Sequence, residues 1–82
     1  MRLHEFRAKY MVKLALFVPK SEREKELISE LMIKLNYLRS TKLPSLVFML
    51  YEIIQHEQVS RDFKDLCRFM LEDIEKLESY EE

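Results

Sequence analysis

Not one of the 82 residues is glycine, and only two are proline. Tight β-hairpins need positive φ at their centres, which glycine supplies at no steric cost, so this chain is poorly equipped to reverse strand direction. Leu, Glu, Lys, Met and Arg dominate instead, all of them good helix formers. The expected class is all-α: a small four-helix bundle forming one domain over residues 1–82, with helices near 3–18, 22–38, 45–57 and 60–78. At this length one hydrophobic core is only marginally sufficient. Cys67 is the sole cysteine, so no disulfide forms within the chain, and His4 and His56 alone cannot complete a zinc finger. Dense packing and association are the remaining sources of stability.

The most apolar segment is residues 43–54, Leu-Pro-Ser-Leu-Val-Phe-Met-Leu-Tyr-Glu-Ile-Ile. Pro44 suits a first helical turn and Ser45 is placed to cap. Leu46, Val47, Leu50, Ile53 and Ile54 share one broad face, flanked by Met49 and Tyr51, while Phe48 falls on the polar side with Glu52, Gln55 and His56. A helix apolar around most of its circumference is expected to be enclosed by neighbours.

The other helices are amphipathic. Leu3, Phe6, Tyr10, Met11, Leu14, Phe17 and Val18 keep the helical rhythm, and Pro19 should end that helix near Val18. Ser21-Glu22-Arg23-Glu24 is a capping box, the most specific local signal in the chain. Leu27, Ile28, Leu31, Met32, Leu35 and Leu38 follow on one stripe, and residues 39–42 form the connection. Ser60 caps a fourth helix whose core face is Phe63, Leu66, Cys67, Met70, Ile74 and Leu77; residues 79–82 are expected to fray.

Each helix carries more apolar side chains than one face requires. Val12 and Leu16 lie opposite the Leu14 stripe, Ile33 and Tyr37 form an i, i+4 pair away from Leu31, and Phe48, Phe69 and Tyr80 are further surplus. Contiguous exposed apolar groups mark contact sites. Ile33, Tyr37, Phe48 and Phe69 are the candidate partner-binding anchors.

Catalytic chemistry finds little support. Glu52 and His56 share a face at i, i+4, but two ligands are too few for a metal, and a surface ion pair explains the spacing. Cys67 falls on a core stripe, where a free cysteine behaves as a small hydrophobe. Without glycine, a phosphate-cradling loop of the usual form is excluded. No enzyme activity, cofactor or metal is expected. The longest apolar run, residues 46–51, is too short to span a bilayer, and Lys9 and Lys13 interrupt the segment after Arg2 and Arg7 that a secretory signal would need. No membrane association is expected, and the lone cysteine fits a reducing cytoplasmic setting.

Net charge is −1, but residues 1–20 carry five basic side chains against one acidic, and residues 58–82 four basic against eight acidic. Neighbouring helices with complementary fields explain this asymmetry; a basic patch for an acidic partner is the alternative. Residues 11–18 also partly alternate as a short strand would, although alternation fails over 15–18, which favours helix. Read as strand, Pro19, capped helix, loop and second helix, residues 9–57 resemble in element order the ribbon-helix-helix DNA-binding modules. The resemblance implies a dimeric DNA-binding transcriptional regulator with an added C-terminal helix, and Arg7, Lys9 and Lys13 are the candidate nucleic-acid contacts. The first expectation is different: a non-catalytic accessory or adaptor subunit that docks by an apolar helix face on a larger protein or on its own copy. A nucleic-acid-processing complex such as a DNA polymerase holoenzyme is one class of host.

Overall fold

A computed structural model describes residues 1–77 and shows an all-α bundle of four helices, α1 (Leu3–Leu16), α2 (Glu22–Asn36), α3 (Leu43–Gln55) and α4 (Arg61–Glu75). A single 3₁₀ turn, Ser40–Lys42, leads into α3. Among the described residues there is no strand segment. The expected fraying of residues 79–82 and the surplus Tyr80 lie outside the described residues.

Residues 11–16 are helix, so the ribbon that the DNA-binding alternative requires does not form. The 3.6-residue period prevails: Val12, Leu14 and Leu16, which a strand's two-residue alternation would place on one face, are divided, with Leu14 buried and Val12 and Leu16 exposed. α1 ends at Leu16, two residues before the expected 18. Phe17 turns to an extended conformation, φ −71° and ψ 132°, and its ring packs 5.2 Å from that of Phe63. Val18, expected in the core, is consequently 76% exposed.

The capping box at α2 forms with one change of partner. Ser21 Oγ accepts the Glu24 N–H at 3.2 Å, but the Glu24 carboxylate reaches the N–H of Lys20, at 3.1 Å, rather than that of Ser21. Arg7 donates from α1 to the Leu38 carbonyl just beyond the end of α2, which closes at Asn36 rather than 38. α3 begins at Leu43 and ends at Gln55, not 45–57. The 3₁₀ turn brings the chain in already helical, so Lys42 occupies the cap position and Ser45 lies inside the first turns, with Pro44 where a first turn tolerates it. Ser60 caps α4 by accepting the Phe63 N–H at 3.4 Å. α4 closes at Glu75; Lys76 and Leu77 have left the helix, and residue 78 lies outside the described segment.

α1 packs on α2, α3 packs on α4, and α1 also meets α4; α2 and α3 make no comparable approach. Phe6, Tyr10, Leu31, Leu50, Phe63 and Cys67 meet at the centre without measurable solvent contact beyond 1%. Two buried carboxylates pin the pairs together. Glu24 Oε2 accepts the Ser60 N–H at 2.7 Å, joining the starts of α2 and α4. Asp73 on α4 accepts from Lys9 Nζ and from the Tyr10 hydroxyl of α1, each at 2.6 Å. The complementary charge of the two chain ends is thus expressed in a direct α1–α4 contact.

α3 is not enclosed. Leu43, Leu46, Leu50 and Ile53 are buried, but Phe48 and Tyr51 face outward. The open seam between α2 and α3 is the reason on the Phe48 side.

Candidate docking groove between α2 and α3

The α2–α3 hairpin exposes a line of apolar side chains that its two buried stripes do not need. On α2, Leu27, Leu31 and Leu35 recur every four residues toward the core, so Ile33 and Tyr37 fall on a different line. On α3, Leu46, Leu50 and Ile53 point inward and Phe48 falls on the other side of the helix, with Glu52. Because α2 and α3 splay apart, these side chains border a groove of about 730 Å³ with Leu27, Ile33, Phe48, Met49 and Ile53 along its apolar length. A smaller hollow of about 230 Å³ adjoins it, lined by Tyr37, Leu38, Lys42 and Leu46. Ile33, Lys34 and Ser45 border both hollows, and Lys34 Nζ donates to Ser45 Oγ at 3.1 Å across the seam.

Three of the four anchors expected from sequence therefore converge: Ile33, Tyr37 and Phe48, which are 61%, 72% and 66% exposed. Phe69 is also exposed, on α4, but borders neither hollow. Leu27, Met49 and Ile53, core or flanking positions by their spacing, also line the groove; only the splay of the two helices, which no local pattern encodes, reveals that second role.

Polar groups ring the groove. Glu30 on α2 and Glu52 on α3 stand on its sides, and Arg23 and His56 lie at its far end. His56 Nδ1 accepts the Gln58 N–H at 3.2 Å, so this ring helps to close the C-terminus of α3. Among the described residues no three of His, Cys, Asp and Glu gather into a set of metal ligands.

The three basic residues singled out for nucleic acid do not assemble into a free patch. Arg7 is directed to the Leu38 carbonyl and Lys9 to Asp73, while Lys13 is exposed. Burial works to raise the Asp73 pKa, but the hydrogen bonds from Lys9 and Tyr10 and the charge of Lys9 outweigh it and hold the carboxyl below its ordinary range. Burial, reinforced by Asp73, pushes the Tyr10 phenol upward. Glu24 follows the same logic as Asp73: desolvation opposes ionisation, and the N–H groups of Ser60 and Lys20 overcome it. Cys67 sits fully inside α4's core face, where burial pushes its thiol up to about 12, away from the range of a nucleophile. Among the described residues no helix is long and apolar enough to cross a membrane.

Comparison with known proteins finds no matching protein-family model, curated protein or solved structure.

Proposed function

We propose that this protein is a small non-catalytic accessory or adaptor subunit that works by docking the α2–α3 groove against an apolar helix face of another molecule. The observation that carries this function is that Ile33, Tyr37 and Phe48 are exposed along the α2–α3 seam, Phe48 in the groove, Tyr37 in the adjoining hollow and Ile33 bordering both, beside a core that buries none of them. Removing one such side chain from water is worth about 1.5–3 kcal/mol. Three together match the few buried aromatic and aliphatic anchors that dominate binding energy at protein interfaces. The charged rim would set orientation and encounter rate more than affinity. The host is a larger protein, a nucleic-acid-processing assembly being one class, or a second copy of the chain.

Site-directed photocrosslinking tests this function. A photoreactive phenylalanine analogue placed in turn at positions 33, 37, 48 and 69 of the full chain, in extract of the source cells, should give a discrete adduct from the first three positions. Position 69 should give none. Absence of adducts at 33, 37 and 48, or an equal yield at 69, contradicts the groove as the docking face.

A further inference from the structure

The charges around the groove are arranged with opposite sign on either side of its apolar centre. Ile33 and Phe48 form that centre. About one turn away, toward the start of α2 and the end of α3, stand Glu30 and Glu52. On the other side stand Tyr37 and Lys42, while Lys34 borders both hollows and donates to Ser45. Arg23 lies further out on the acidic side and is engaged by Glu26 at 3.4 Å. Among the described residues neither Glu30 nor Glu52 has an ionic or hydrogen-bonding partner, and nor does the Lys42 side chain.

We infer that the occupant of this groove is a second copy of the same chain, bound about a two-fold axis that passes beside Ile33 and Phe48. The inference rests on the docking function proposed above and names its partner. A two-fold contact is isologous, so every pairing occurs twice and the surface must complement itself. Rotation by half a turn about the apolar centre lays Glu30 and Glu52 of one copy over Lys42 and Tyr37 of the other, and reciprocally, with Lys34 near the axis. Ile33 and Phe48 meet their own counterparts on the axis, where like apolar groups are compatible. A heterologous partner places no demand on the chain's own charges to change sign across the groove centre; a second copy does.

Sedimentation velocity over a concentration series of the full chain tests the pairing. The wild type should show a monomer–dimer equilibrium, and Phe48→Asp should be monomeric at every concentration while Phe69→Asp behaves as wild type. Lys42→Glu or Glu52→Lys alone should weaken dimerisation about tenfold or more, because each change recurs at both symmetric contacts. Mixing these two single variants should restore association as a heterodimer, and combining both changes in one chain should restore the homodimer. Circular dichroism of each variant confirms an unchanged helix content, as expected for exposed positions. A wild-type monomer throughout, a dimer indifferent to Phe48→Asp, or failure of both charge exchanges to restore association overturns the inference. A monomeric wild type that still forms a discrete adduct with a different protein through position 48 overturns the second copy alone and leaves the docking function intact.

Discussion

The Glu24 carboxylate accepts the backbone N–H of Ser60 at 2.7 Å across 36 residues of sequence, while its other oxygen accepts the N–H of Lys20 at 3.1 Å. One side chain thereby satisfies the N–H of the cap residue of α4 and that of the residue just before the cap of α2. Being 1% exposed, it does so where water is not at hand to substitute.

Glu24→Ala leaves both donors without their acceptor and opens a gap between the two helix starts. Hydrogen bonds to a charged group contribute about 1.5–3 kcal/mol each, so urea unfolding should show a loss of about 3 kcal/mol or more. For a domain of this size that is a large share of the total. Glu24→Gln keeps one acceptor oxygen and should fall between wild type and Glu24→Ala. A loss below about 0.5 kcal/mol for Glu24→Ala, the level of an ordinary surface change, contradicts the tie.

Acid should unfold the protein through two carboxylates. Glu24 and Asp73 both ionise more readily in the fold than in the open chain. The unfolded chain therefore binds more protons as pH falls past the ordinary carboxylate range near 4. Their stabilisation is complete above that range and is lost as pH drops through the lower, folded values. Urea midpoints measured from pH 7 down to pH 3 should decline for the wild type. The Glu24→Gln, Asp73→Asn double variant should start lower and decline less. Parallel slopes in the two proteins contradict this assignment.

The α1–α4 contact separates a hydrogen-bonding role from a charge role. The Tyr10 hydroxyl is buried and donates to Asp73, so Tyr10→Phe leaves a buried carboxylate with one partner fewer and should cost about 1.5–3 kcal/mol. Lys9 is more exposed, and Lys9→Met should cost less than about 1 kcal/mol, decreasing further in high salt. Thermal or urea unfolding distinguishes the two; a larger loss for Lys9→Met than for Tyr10→Phe contradicts the assignment. The same geometry gives Lys9 a structural duty, so its exchange for Glu would disturb the fold before it could report on nucleic acid.

Local signals carried much of the fold. Ser21 and Ser60 announced two helix starts because capping acts within one turn, and the buried stripes of α1, α2 and α4 followed the helical period. The exposed positions of Ile33, Tyr37, Phe48 and Phe69 were legible for the same reason: a side chain off the stripe has no helical neighbour to cover it. What was hidden is tertiary. Nothing near Glu24 in sequence indicates Ser60, and nothing near Asp73 indicates Tyr10. The exit of α1 at Phe17 depends on a ring in α4, and the entry to α3 depends on a 3₁₀ turn that displaced Ser45 from its expected cap. The groove arises from how far α2 and α3 splay, which leaves α3 less enclosed than its apolar run implied.

Whether the apolar groove residues serve folding or contact is decided most directly by the stability of the isolated monomer. Urea unfolding of an Ile33→Asp, Phe48→Asp double variant should be compared with wild type, at dilutions where neither chain associates. Because both side chains face solvent, the expected result is an unfolding free energy within about 0.5 kcal/mol per substitution of wild type. A loss of several kcal/mol would show that these side chains belong to the core, and would contradict the groove as a docking surface.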